Sequence, residues 1–150
     1  MKKIEIKINK TEILEKVSLS SAYLGYKAEN AETLYDRIST IEADKPLLGE
    51  FWTEMCGIMT EKFREFIVNV EKEETGMNLT LELSNAYDDA LTPSVKDNLV
   101  AAIVTGICGR WFRFTFPEKS EEWLNESGEL IGSAMKKLCY RKKPVRGGKG

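Results

Sequence analysis

Polar and hydrophobic residues alternate strictly at the start of the chain. Ile4, Ile6 and Ile8 fall on one side of an extended segment and Lys3, Glu5 and Lys7 on the other, which predicts a half-buried β-strand near residues 2–9. Asn9 and Glu12 then have capping-box spacing, and Ile13, Leu14, Val17, Tyr23 and Tyr26 continue an apolar stripe, predicting a helix over about 10–24. Residues 28–44 are polar and broken, with a short helical turn expected at 34–38. Asp44 before Lys45-Pro46 reads as a cap followed by a first-turn proline. From there Leu48, Phe51, Trp52, Met55, Met59, Phe63 and Phe66 recur at helical spacing, flanked by Leu47, Ile58 and Ile67, so this helix is expected to reach about Ile67. The aromatic and methionine stripe is read as core.

The run Glu71-Lys72-Glu73-Glu74 reads as a solvated turn, after which Leu79, Leu81 and Leu83 alternate with polar neighbours and predict a second strand at 77–83. Two strands do not stand alone in water. They are expected to pair with each other, antiparallel within the chain or across subunits, and to lay their joint apolar face on the helices. A short helix is expected at 85–91. Thr92-Pro93 starts a helix whose Val100, Ile103, Val104, Ile107, Trp111 and Phe114 share a face beside Leu99 and Ala102. It is apolar nearly all round in its first half, the pattern of a central buried helix, and Pro117 stops it. Ser120 with Glu121 and Glu122 opens a last helix with Trp123, Leu124, Ile131, Met135 and Leu138 inward, released by Pro144 and Gly147-Gly148. The expected fold is mainly α: a bundle of about four helices with a small two-stranded β element near 2–9 and 77–83. One globular domain spans 1–140, and a flexible basic tail spans 141–150.

Composition narrows the chemistry. The chain has 150 residues and 42% hydrophobic content, enough for one domain with a core of its own. With no His, the Ser-His-Asp and Cys-His nucleophile systems, the HExxH zinc site and the His-carboxylate iron sites are excluded. Cys56, Cys108 and Cys139 are odd in number and form no CxxC, so they read as small core hydrophobes in a reducing compartment. The charged N-terminus does not read as a signal peptide, and the longest apolar run, 99–108, is half of a bilayer span. No membrane segment, metal or cofactor is expected.

Charge is unevenly placed. Residues 136–150 hold seven basic residues and no acidic one, whereas the rest of the chain is acidic. Lys136, Lys137 and Arg141 suit the negative end of the last helix, and together with Lys142, Lys143 and Arg146 they are also candidates to contact an acidic partner or phosphate. Arg110 and Arg113 interleave with Trp111, Phe114 and Phe116, a mixture found in stacking nucleic-acid sites. On a helix, however, the arginines face away from the aromatics, which leaves them for local ion pairs first, an intersubunit contact second and nucleic acid third. Glu118, Glu122, Glu126 and Glu129 read as a solvated face. Gly128 with Gly132, and Ala102 with Gly106, mark close helix approach within or between subunits.

Several segments, Tyr35-Asp36-Arg37-Ile38-Ser39-Thr40, Phe51-Trp52, Leu83-Ser84-Asn85-Ala86-Tyr87-Asp88-Asp89-Ala90-Leu91, Arg110-Trp111-Phe112-Arg113-Phe114 and Tyr140-Arg141-Lys142-Lys143-Pro144, resemble small proteins encoded in phage and prophage structural modules. That family is similar in size and helical make-up to head-tail connector (head completion) proteins. The resemblance implies a non-enzymatic, homo-oligomeric virion structural protein that forms a ring against portal or tail proteins, present in the host cytoplasm during assembly and then in the virion. DNA contact in such a role is non-specific. A small nucleic-acid- or protein-binding module using the basic tail is the alternative reading.

Overall fold

The computed structural model describes residues 1–27 and 38–143. Strand β1, Lys2–Asn9, follows the alternation of its isoleucines: Ile6 and Ile8 are buried, Ile4 is half-buried, and Lys3, Glu5 and Lys7 face solvent. It pairs antiparallel, within the chain, with β3, Gly76–Leu83, in a register that runs from Lys2 opposite Leu83 to Asn9 opposite Gly76. Met77, Leu79, Leu81 and Leu83 are all buried on the inner face.

The β element has three strands rather than the expected two. Strand β2, Ile67–Glu73, pairs with the other side of β3, giving the order β1-β3-β2. The helical spacing predicts that the preceding helix reaches Ile67 and that 71–74 is a turn. The helix instead stops at Lys62, with the Phe63 amide capping back onto the Met59 carbonyl. Past that point the β-branched Ile67, Val68 and Val70 favour the extended chain. The ladder shifts register between Ile67 and Asn69, so that Val68 bulges out and is half exposed. Glu74 and Thr75 form the tip of the hairpin. Gly76 is required there because a Cβ would fall on the Ile8 carbonyl oxygen of the neighbouring strand.

Helix α1, Lys10–Lys27, opens on Asn9, whose Oδ1 accepts the Glu12 amide at 3.0 Å. It runs three residues beyond the expected end. Ile13, Val17 and Ser21 form its buried side, and Tyr23 and Tyr26, expected on that side, stand on the opposite one. Of the turn expected at 34–38, only Ile38 falls within the described residues; it is buried, and its carbonyl accepts the Trp111 indole N–H. Helix α2, Lys45–Lys62, buries Leu48, Phe51, Trp52, Met55, Cys56 and Met59 as the spacing requires. Asp44 precedes it without capping it, because its carboxylate accepts the Ile41 amide instead.

Helix α3, Thr92–Thr115, is the buried centre of the fold, and α4, Pro117–Cys139, folds back along it. The 85–91 segment forms bends and a single 3₁₀ turn over Asp89–Leu91 in place of the expected short helix. A one-residue break at Phe116 separates α3 from α4, so Pro117 starts the last helix as well as ending α3. Ser120, expected to open α4, lies buried inside it and donates to the Gly109 carbonyl at 2.8 Å. Close approach is built on α3: a Cβ on Gly109 would lie 2.7 Å from Leu124 Cγ, and one on Gly106 would lie 2.7 Å from Met55 Cε. Ser127 donates to the Ala102 carbonyl at 2.6 Å across the same seam. Phe112 is fully buried, edge-to-face on Trp123 at 5.2 Å, whereas Phe114, expected inside, is 69% exposed. At this end α4 covers the side of α3 that carries Phe112 and leaves the Phe114 side open. The fold is mainly α, with four α-helices among the described residues and one small antiparallel sheet. No helix among those residues is long and apolar enough to cross a membrane.

Candidate functional site

The basic residues singled out in the sequence separate into two groups. Arg110 is an internal clasp: its Nε lies 2.7 Å from Glu54 Oε2, its Nη1 donates to the Gly106 carbonyl at 3.0 Å, and its side chain is only 14% exposed. The geometry therefore uses it for local pairing between α2 and α3. Arg113, one turn on, is exposed. At the far end of α3, Lys137 donates to Ser94 Oγ and Asn98 Oδ1 and ties the last turn of α4 to the first turns of α3. With Ser94 and Arg110 separated by 16 residues of helix, the two groups stand roughly 24 Å apart. They do not form one site.

At the Lys137 end, Arg141 turns back on its own helix and donates to the Cys139 carbonyl at 2.8 Å, satisfying a free C-terminal carbonyl. The Lys142 amide donates to the Ala86 carbonyl at 2.7 Å. Lys2 reaches the same loop, donating to the Tyr87 carbonyl and pairing with Asp89 at 2.8 Å. Lys136, Arg141, Lys142 and Lys143 are exposed and gather at this pole. Arg146 and the rest of 144–150 lie outside the described residues.

Two surface features were not read as sites from the sequence. The first is a second apolar stripe on α1. Leu19, Tyr23 and Tyr26, at i, i+4 and i+7, are 72%, 62% and 73% exposed and lie opposite the buried side of the helix. Leu19 forms the ridge between a groove of about 750 Å³ with Leu14, Ile41 and Leu48 and another of about 590 Å³ with Val100, Val104 and Trp123. The i, i+4, i+7 spacing was visible, but burial around the helix decides which apolar stripe faces inward. The second is a cleft of about 400 Å³ at the hairpin end of the sheet, rimmed by Lys7, Glu12, Glu71, Glu73 and Lys96. The buried amide oxygen of Asn78 has no hydrogen-bond partner there.

Cys56 and Cys108 are buried, as expected. Burial pushes the Cys56 thiol up to about 11, against an opposing pull from Lys72 and Lys10, and the Cys108 thiol up to about 12. Both are protonated at neutral pH and are poor nucleophiles. Cys139, expected in the core, is exposed on α4. Burial also raises the Tyr87 hydroxyl, opposed by its hydrogen bond with Thr92. Glu118, Glu122, Glu126 and Glu129 all face solvent, and no cluster of three or more metal-ligating side chains occurs among the described residues. Comparison with protein-family models, with curated proteins and with solved structures finds no match to this chain.

Proposed function

We propose that the protein is a non-enzymatic, self-associating structural subunit of the phage head-tail connector kind, held between copies of itself and neighbouring portal or tail proteins. The observation that carries this reading is the exposed stripe of Leu19, Tyr23 and Tyr26 on α1. A helix that has already buried one side gains nothing in water from a second apolar stripe, and contiguous exposed apolar surface marks protein contact sites. Tyrosine suits such a contact, since its ring is apolar and its hydroxyl stays hydrated or bonded. Among the described residues β1 and β2 each pair with one strand, β3, an arrangement that suits strand addition from a partner. The segregated charge suits head-to-tail contacts around a ring.

Light scattering coupled to size exclusion, over a concentration series at low and high salt, tests this reading. The expected result is a discrete oligomer that the exposed-site double variant Leu19→Ser/Tyr26→Ser reduces while circular dichroism stays unchanged. A chain that is monomeric at every concentration and salt refutes spontaneous self-assembly. The second reading, a binding module that uses its basic end on nucleic acid or an acidic protein, is favoured by the gathering of Lys136, Arg141, Lys142 and Lys143 at one pole. Deleting residues 141–150 abolishes salt-sensitive DNA affinity if that reading holds, and retains the fold and weakens at most ring or portal docking if the connector reading holds.

A further inference from the structure

The outer face of α4 has no partner within the described fold, and its chemistry changes along its length. At 100° per residue, Glu121, Asn125, Gly128, Gly132, Lys136 and Cys139 fall within an arc of about 80°, and all six are exposed. The stripe begins acidic, reinforced by Glu118 and Glu122, and ends basic at Lys136. At its middle the two glycines leave the backbone bare. Gly106 and Gly109 on α3 each have a neighbour pressed against them, but a Cβ at Gly128 or Gly132 would meet nothing within 4 Å. Packing inside the subunit therefore does not explain them, although each weakens the helix relative to alanine. The helix dipole accounts for Glu118 and Lys136 in the terminal turns. It does not reach Glu122, Glu126 and Glu129, which lie one to three turns further in.

We propose that this face docks on the same face of a second copy of the chain, the two α4 helices antiparallel about a two-fold axis beside residue 130. In that register Gly128 stands opposite Gly132 of the partner subunit, so the backbones approach without side chains between them. Lys136 reaches Glu121 of the partner subunit, and the two-fold repeats the pair. The midpoint of Glu121 and Lys136 lies one and a half residues from that of the two glycines, about 2 Å along the axis, so one register satisfies both. A parallel pairing would set acid against acid and cation against cation. Cys139 comes opposite Glu121 of the partner subunit. This contact is separate from the α1 stripe, and being isologous it closes on itself as a pair.

The full-length Glu121→Cys variant tests the arrangement, with diamide as the oxidant that takes up the two thiol hydrogens and with the protein concentration raised by more than about tenfold above the parent dimer's Kd to offset the two lost pairs with Lys136. The expected product is a covalent dimer on a non-reducing gel, joined between the introduced thiol and Cys139 of the partner subunit. It disappears when Cys139→Ser is added. Without oxidation, Lys136→Glu weakens the dimer about tenfold or more, because two symmetry-related pairs are lost together. The swap Glu121→Lys/Lys136→Glu restores it to within a few-fold. Preferential cross-linking of Cys139 to Cys139 of the partner subunit in the unsubstituted chain, or no cross-link from a variant with native circular dichroism, overturns the proposal. Cross-linking that persists in Leu19→Ser/Tyr26→Ser supports it whatever becomes of the connector reading. Oligomers that form without this cross-link refute the α4 contact alone.

Discussion

The same substitution, glycine to alanine, is expected to act with opposite sign at two positions on the packed helix pair. At Gly109 of α3 the new methyl would sit 2.7 Å from Leu124 Cγ, 2.8 Å from Cδ2 and 3.1 Å from the Leu124 backbone nitrogen. Rotation of the leucine side chain moves Cγ and Cδ2 but not the main-chain nitrogen, so relief is complete only if α4 itself moves. Overpacking of this kind costs about 1–3 kcal/mol, and the gain in helix propensity returns about 1 kcal/mol. The net expectation is a loss of up to about 2 kcal/mol. At Gly128 of α4 nothing lies within 4 Å of the added methyl, so only the propensity gain remains, about 0.5–1 kcal/mol of added stability. For a chain of this size 1 kcal/mol corresponds to about 2–4 °C in Tm, so the two variants should lie on opposite sides of the unsubstituted protein. Urea unfolding followed by far-UV circular dichroism measures both. It should be run at two protein concentrations, because an alanine at 128 also obstructs the proposed contact between subunits. A Gly109→Ala variant more stable than the parent, or a Gly128→Ala variant less stable at the lower concentration, would refute the packing account of α3 and α4.

Two further outcomes are expected. The Cys108 thiol, raised to about 12 from an ordinary value of 9.0 by burial, keeps its proton in the folded chain while the unfolded chain releases it. Its contribution to stability is therefore complete below about pH 9 and is lost as pH rises toward 12, at about 1.4 kcal/mol per pH unit. Urea midpoints between pH 9 and 11 should show a shallower decline for Cys108→Ala, and an identical slope in the variant would count against this assignment. Glu54→Gln should cost less than about 1 kcal/mol and lose its effect at high salt, since the carboxylate is 57% exposed. Arg110→Ala should cost more and retain its effect in salt, because the buried stem and its bond to the Gly106 carbonyl go with the charge. Equal, salt-sensitive losses would mean that Arg110 acts through its charge alone.

Most of the architecture was legible because the relevant patterns are local. The isoleucine alternation of β1, the Asn9 cap, the Thr92-Pro93 start and the apolar first half of α3 each needed only their neighbours in sequence. β2 was missed because Phe63, Phe66 and Ile67 continue the helical spacing of α2, and the bulge at Val68 breaks the alternation that would have announced a strand. Tyr23, Tyr26 and Phe114 were placed inside by periodicity alone and Cys139 by its residue type, whereas their exposure depends on which neighbouring element covers which side. The surface was less legible than the core. Local pairing was the leading reading for Arg110, but its partner Glu54 lies 56 residues away and has no local signature. The difference between Gly106 and Gly128 likewise depends on what stands across from each of them, which no spacing encodes.

The strand order β1-β3-β2 also sets a schedule for folding. Val70 and Leu79 meet across a short hairpin, and such hairpins close in about 1–10 μs. Ile6 must wait for the same Leu79, 73 residues further along the chain. At about 5–20 residues per second of synthesis, that wait lasts roughly 4–15 s, during which the first strand emerges with no partner of its own. Its alternation exposes Ile4, Ile6 and Ile8 for that period, and the interleaved Lys3, Glu5 and Lys7 oppose edge-to-edge pairing between nascent chains. The charged half of β1 thus protects the chain before the sheet exists, and β1 should be the last element to lock when the purified protein is refolded.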